Sequence, residues 1–248
     1  FIVSKIKPKI GEKIFDPFAG SCGFLIESYK FLAKENKIGK NEWNILQNNT
    51  FFGVEKKPVP YLLGTMNMIL HQILVPNLLR ANSLDKNVFN IPDDEKFDII
   101  MLNPPFAGRE HASVSKNYPI QTKATDGMAI QYTHRHLKPG GRGAIILPDG
   151  KILFKDGIYE RIRDEWLEKC DVHSVVSLPA GSFTSTGAAI PTKILFFEKK
   201  GKTKKVWFCE VDGKFTKKQT IQKEDFFKLN SIFNSKKESN ISWIKTLD

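Results

Sequence analysis

Phe97-Asp98-Ile99-Ile100-Met101-Leu102-Asn103-Pro104-Pro105-Phe106 is the stretch from which the rest of the chain is read. Phe97 to Leu102 is a short apolar run, the pattern of a strand buried on both faces. It stops at Asn103, because two successive prolines donate no backbone hydrogen bond and cannot continue a central strand. The expected product is a rigid lip at the carboxyl end of a buried strand, where open α/β sheets bind ligands. The lip offers the Asn103 amide, the Pro104 carbonyl and the Phe106 ring, groups that suit a planar ligand with an exocyclic amine. Taken alone, the same residues equally describe a chain reversal with Phe106 in the core.

A second signal lies upstream. Ile14-Phe15-Asp16-Pro17-Phe18-Ala19-Gly20-Ser21-Cys22-Gly23-Phe24-Leu25 reads as a strand, a turn of small residues and a helix running to about Lys34. Small residues at Ala19, Gly20, Ser21 and Gly23 let backbone approach a ligand and leave a helix N-terminus open. A tight strand-to-helix packing turn is the alternative. After a polar excursion over Glu35–Asn49, Phe51-Phe52-Gly53-Val54-Glu55 predicts a strand ending in an acid. Glu55 is placed either to accept from ribose hydroxyls or to face the dipole of the next helix. That helix, about Val59 to Ile73, carries Leu62, Leu63, Met66, Ile69, Leu70 and Ile73 at helical spacing, which with its methionines predicts a core face. Leu78 to Ser83 reads as a third strand and its exit loop.

Beyond the lip, Ala107 to Thr125 is polar and without periodicity. A loop of this length in a compact domain is usually functional or disordered, and its position beside the lip suits a mobile cover over the substrate. A helix over Met128–Leu137, stopped by Lys138-Pro139-Gly140-Gly141, leads to a strand at Gly143–Pro148. An amphipathic helix at Ile158–Lys169 leads to another at Val172–Leu178. Thr192–Glu198 and Lys205–Val211 flank Lys199-Lys200-Gly201-Lys202 and predict an antiparallel hairpin at one sheet edge. Strands alternating with helices give an α/β, doubly wound, mostly parallel sheet with Asp16, Glu55 and Asn103 at its carboxyl edge.

The composition of the 248 residues, 41% hydrophobic and 26% charged, is that of one sizeable α/β domain with or without a small appendage. Residues 1–211 are expected to form that domain, and 212–248 a basic C-terminal extension too poor in apolar residues for its own core. No apolar run approaches the roughly 20 residues of a membrane span. The chain opens on Phe1 rather than Met, and we expect it to be a fragment of a longer protein. Cys22, Cys170 and Cys209 are far apart and odd in number, which predicts reduced thiols and a cytoplasmic location rather than disulfides. The scattered histidines predict no metal site. Net charge is +11, and the last fifty residues hold thirteen Lys, no Arg and only six Asp or Glu. Such an excess fits a polyanionic partner, although Lys-rich segments are often solvated faces.

The order strand-DPFAGSCGF, strand-GVE, strand-NPPF, helix-KPGGR-strand-LPDG resembles the S-adenosylmethionine-dependent amino-methyltransferases of DNA. In particular it is similar to the modification subunits of type I restriction–modification systems. Ser177-Leu178-Pro179-Ala180-Gly181-Ser182-Phe183 matches a late motif of these subunits, and the resemblance runs from about Ile14 to Trp243. It implies a seven-stranded class I methyltransferase sheet with an antiparallel edge hairpin, and S-adenosyl-L-methionine as cofactor. The cofactor-binding residues implied are Asp16, Phe18, Ala19, Gly20, Ser21, Cys22, Gly23, Glu55, Asn82, Ser83 and Asn103; the catalytic ones are Asn103, Pro104, Pro105 and Phe106. The implied partners are double-stranded DNA, a specificity subunit with two methylating subunits per complex, and a restriction subunit in some assemblies. The reaction implied is methyl transfer to N6 of a flipped adenine. Methylation of RNA or of a protein glutamine, and a non-catalytic scaffold that binds a specificity subunit, are the rival readings. Two departures stand out: Cys22 replaces a usual glycine, and the family's upstream segment with a Phe and a Thr-Pro pair is expected to lie outside this fragment.

Overall fold

The computed structural model describes residues 1–35, 38–183, 190–213, 215–216 and 221–247. Helix α1 (Ile2–Ile6) precedes β1 (Ile14–Asp16), α2 (Gly23–Glu35), α3 (Lys40–Ile45), β2 (Phe51–Glu55), α4 (Pro58–Leu70) and β3 (Asn77–Arg80). Then come β4 (Phe97–Leu102), α5 (Ala112–Ser115), α6 (Thr125–His136), β5 (Leu137–Pro148), α7 (Lys151–Phe154), α8 (Ile158–Lys169) and β6 (Asp171–Leu178). The chain continues through β7 (Thr192–Glu198), β8 (Lys205–Glu210), α9 (Phe227–Phe233) and β9 (Ser242–Thr246). Among the described residues no helix is long and apolar enough to cross a membrane.

The nine strands among the described residues join one sheet in the order β3-β2-β1-β4-β5-β7-β6-β8-β9. The first five run parallel. The alternation of side chains along each strand splits the interior into two layers. Ile99 and Met101 of β4 face a core with Ile14, Leu25 and Trp207, while Ile100 and Leu102 face one with Phe15, Tyr132 and Phe197. β4 is fully buried over its last four residues, as expected for a strand covered on both sides.

The expected edge hairpin does not form, and among the described residues there are nine strands rather than seven. β7 lies between β5 and β6 and is antiparallel to both, and β8 pairs in parallel with the far side of β6. Ile194 to Phe197 are all buried, so this segment needs cover on both faces, which a sheet edge does not supply as well as its interior. The Lys-rich link is pinned beneath β6 instead: Thr203 Oγ1 donates to the Cys170 carbonyl at 2.6 Å and accepts from Val172 N at 2.8 Å. The antiparallel edge pair is β8 with β9. Residues of the C-terminal tail use the core of the sheet, where the Phe233 ring meets Phe196 and Trp207 edge-on at 4.9 and 5.6 Å.

Two further expectations are corrected. In α4, Met68 is buried and so is Ile73 just beyond the helix, but Leu62, Leu63, Met66, Ile69 and Leu70 are exposed, Leu70 to 79%. The helix meets the sheet through Gly64, where a Cβ would come within 2.7 Å of the Gly20 carbonyl and 2.8 Å of Cys22 Sγ. That close approach turns the larger apolar stripe outward. The segment after the lip is also less featureless than its polarity suggests. It contains α5 and a bridge between Arg109 and Ala124, and it buries Val114, Tyr118 and Ile120. Gln131 of α6 clamps it by bonding both the N–H and the carbonyl of Ile120.

Candidate active site

The parallel register Ile14↔Ile99 and Phe15↔Ile100 brings the ends of β1 and β4 to one sheet edge, with Asp16 beside Gly53 of β2. Asp16, Glu55 and Asn103 therefore converge where the strands end. The turn after β1 is built on backbone bonds. Phe18 N donates to Asp16 Oδ1 at 3.0 Å, and Gly20 N to Glu55 Oε2 at 2.9 Å. Ala19 N donates to the Val54 carbonyl at 2.9 Å. Gly20 sits at φ 52° and Cys22 at φ 64°, so both occupy the left-handed region. Glycine enters that region freely, whereas a Cβ there costs about 1–2 kcal/mol, a cost that Cys22 carries and a glycine would not. The Cys22 side chain is buried below the turn, and burial pushes its thiol up to about 12.

Asp16 is buried, and its carboxyl is pushed up to about 7 by desolvation. The Phe18 N–H opposes that shift and the nearby Glu55 adds to it. Glu55 also accepts from Lys57 N at 2.7 Å through Oε1, so it binds the approach to α4 as well as the β1 turn. Both anticipated roles of this acid are thus geometrically open, since each oxygen keeps a lone pair. Beyond β3, Asn82 Nδ2 donates to Asp85 Oδ1 at 2.9 Å and Glu110 Oε2 at 3.2 Å, and its Oδ1 accepts from Leu84 N at 3.3 Å. Ser83 is buried and donates to the Pro17 carbonyl at 2.6 Å.

At the lip, Asn103 is exposed, Pro104 buried, Pro105 exposed and Phe106 half-buried. Among the described residues no group hydrogen-bonds to the Asn103 side chain or to the Pro104 carbonyl, so both acceptors are free. The Phe106 ring packs partly on the core. Ala107, at φ 57°, turns the chain back so that Gly108 N reaches the Pro105 carbonyl at 3.3 Å.

Two cavities meet at this edge. One, of about 630 Å³, is lined by Asp16, Phe18, Ala19, Gly20, Ser21, Gly23 and Asn103, with Phe1, Phe24, Phe183 and Phe226 among its apolar walls. The other, of about 290 Å³, is lined by Phe18, Gly20, Glu55, Asn82, Ser83, Asn103, Pro105 and Glu110, among others. Phe18, Gly20 and Asn103 border both. Cys22, Pro104 and Phe106 line neither. Phe183 belongs to the late motif of the sequence, but only the fold shows where its ring lies. Glu110 has no sequence signal, because a single acid in a polar loop carries no pattern.

A mostly parallel sheet with an antiparallel strand next to its last parallel neighbours, and a small-residue turn after β1, define the class I S-adenosylmethionine-dependent methyltransferase fold. A solved structure from Listeria monocytogenes shares this fold at a TM-score of 0.66 and 16% identity over 94% of this chain and 67% of that one. The chain belongs to the N-6 DNA methylase family, whose model matches residues 1–248. It is 38% identical to the type I restriction enzyme EcoEI methylase subunit of Escherichia coli, over 100% of this chain and 53% of that protein. It is 31% identical to the EcoKI methylase subunit of E. coli K12, over 80% of this chain and 38% of that one. A solved structure bearing on complex assembly of the type I R-M system superposes with a TM-score of 0.93 at 36% identity, covering 98% of this chain and 53% of that one. The chain thus spans about half the length of the EcoEI subunit and of that solved chain, and a smaller share of the EcoKI subunit.

Proposed function

We propose that this chain carries the catalytic core of a type I modification subunit, which transfers a methyl group from S-adenosylmethionine to N6 of an adenine flipped out of DNA. The observation that carries this reading is the free pair of acceptors, Asn103 Oδ1 and the Pro104 carbonyl, on a lip that borders both cavities. Adenine N6 is a weak nucleophile because its lone pair is delocalised into the ring. Two acceptors that take its two N–H groups localise that lone pair on nitrogen and fix its direction. Transfer to an already electrophilic carbon then depends on alignment and electrostatics more than on a strong base.

The residues present fit the cofactor. Glu55 offers carboxylate lone pairs to hydroxyls, Asp16 and Glu55 favour a cation, and the turn at Ala19–Gly20 lets a ligand lie close to backbone. Phe18 and Phe24 supply apolar wall. When bound, S-adenosylmethionine supplies a methyl group activated by its sulfonium. Extracting the adenine costs a few kcal/mol of stacking and pairing. An aromatic face at the lip returns about 1–3 kcal/mol of it.

Reading a DNA sequence requires side chains placed in a groove. The segment between Phe106 and Phe183 is occupied by sheet elements and by a loop packed on the core, so recognition is assigned to a separate specificity subunit that unites two methylating subunits. A restriction subunit completes the assembly where cleavage is coupled to it. The three free, buried cysteines fit a reducing cytoplasm. The chain by itself should bind DNA weakly, through salt-sensitive phosphate contacts and without sequence preference. Titration calorimetry with S-adenosylmethionine, followed by tritiated-methyl assays on DNA, RNA and protein with and without the specificity subunit, tests the proposal. Site-specific DNA methylation only in the complex is the expected result; methyl transfer to RNA or protein alone would overturn it.

A further inference from the structure

We infer that Glu110 is a positioning residue that couples the loop behind the lip to the cofactor cavity. The inference rests on the methyltransferase reading and deepens it. Glu110 lies on the segment joining β4 to α6, yet its carboxylate is held by residues from two other strand ends. Lys56 Nζ, just past β2, donates to both Glu110 oxygens at 3.0 Å. Asn82 Nδ2, just past β3, donates to Oε2 at 3.2 Å. The Glu110 side chain is only 9% exposed although its Lys56 partner is 55% exposed, so this is a seated contact rather than a surface pair. Three loops, from β2, β3 and β4, are thereby tied at the rim of the 290 Å³ cavity that Glu55, Asn82 and Asn103 also line.

The backbone transmits this tie to the lip. Glu110 N donates to the Lys123 carbonyl at 2.9 Å and Thr125 N to the Gly108 carbonyl at 3.0 Å, so the loop is a short antiparallel arm. Gly108 N in turn bonds the Pro105 carbonyl at 3.3 Å. Only two residues, Ala107 and Gly108, separate Phe106 from Arg109, and a Cβ on Gly108 would strike Thr125 Oγ1 at 2.5 Å. Moving Glu110 therefore moves the arm and, through it, the chain at Asn103–Phe106. At the other end, both Asn82 amide hydrogens are occupied by carboxylates and its Oδ1 by Leu84 N. Glu110, together with Asp85 and the Leu84 N–H, thus fixes which way the Asn82 amide points. A ligand seated against Asn82 and Glu55 stabilises the clasped arm, and the clasped arm stabilises the ligand; such coupling is reciprocal.

The test uses S-adenosylhomocysteine as the probe on the whole chain, with titration calorimetry and amide hydrogen exchange of residues 107–124. In the wild type, binding should slow exchange in that arm. Glu110→Ala should weaken binding by about tenfold, the loss of a charge-assisted bond, and should leave the arm exchanging at one rate with or without ligand. Glu110→Gln keeps an acceptor for Asn82 and should restore most of the affinity, which separates positioning from simple loss of fold. Glu110→Ala combined with Asn82→Ala should cost less than the two losses added. Wild-type binding together with full affinity and full arm protection in Glu110→Ala, or strict additivity with Asn82→Ala, overturns the inference and leaves the methyltransferase reading standing. Failure of the wild type to bind the probe overturns both.

Discussion

Gly20 donates its backbone N–H to Glu55 Oε2 at 2.9 Å, joining residues 35 positions apart at the mouth of the site. The turn after β1 and the acid after β2 are therefore one unit. Glu55→Ala should leave the N–H groups of Gly20 and Lys57 without their acceptor and lower stability by about 1–3 kcal/mol. Glu55→Gln, which keeps an acceptor oxygen, should lose less. Urea denaturation of the two variants checks the difference, and cofactor affinity should fall in the same order.

Asp16 makes both stability and cofactor binding depend on pH. Its carboxyl is raised by burial from 3.8 to about 7, so between those values the folded chain holds a proton that the unfolded chain has released. The stabilising effect of the neutral form is complete below the unfolded value and is lost as pH rises through about 7. Asp16→Asn should flatten that decline and be more stable than wild type at pH 8, as judged by denaturation at pH 5 and 8. A cationic cofactor favours ionised Asp16, so its affinity should rise with pH across the same window and binding should release a proton. Calorimetry in buffers of different ionisation enthalpy measures that proton.

Asn103→Ala should lower the rate of methyl transfer by about a hundredfold or more while leaving S-adenosylmethionine affinity within a few fold. The amide is exposed and unbonded, so its removal disturbs no internal contact. Equal loss of rate and affinity would show that the side chain holds cofactor rather than target.

Gly64→Ala should affect a site that the residue does not line. The added Cβ would press on the Gly20 carbonyl and Cys22 Sγ, and overpacking of this kind costs about 1–3 kcal/mol. A lower melting temperature with weaker cofactor binding is expected. Loss of stability alone would mean that α4 yields and the turn does not.

The parallel half of the sheet was legible because β2 and β4 are continuous apolar runs and because Asn-Pro-Pro marks where β4 must end. The turn at Asp16–Gly23 and the acid at Glu55 were legible for the same reason, since local sequence determines local backbone. The place of β7 was not. Lys199-Lys200-Gly201-Lys202 gives a strong local signal for a hairpin, whereas the burial of Ile194–Phe197 between two strands depends on contacts remote in sequence. Helix α4 shows a related limit. Periodicity reports that Leu62, Met66 and Ile69 share a face but not which way that face points, and Gly64 decides it. Glu110 acts through Lys56 and Asn82, partners that only the folded chain brings near.

The placement of β7 also orders the birth of the molecule. As the chain leaves the ribosome, β5 and β6 are complete well before Thr192–Glu198 emerges, and neither can pair directly with the other in the final sheet. Each must wait with an open edge, displaying unpaired N–H and carbonyl groups next to Ile145, Leu147, Val175 and Val176. Open apolar edges recruit other chains. A nascent polypeptide halted before residue 192 would hold five parallel strands open at β5 and a β6 with no strand beside it, and the strand that joins them arrives from the opposite direction to both.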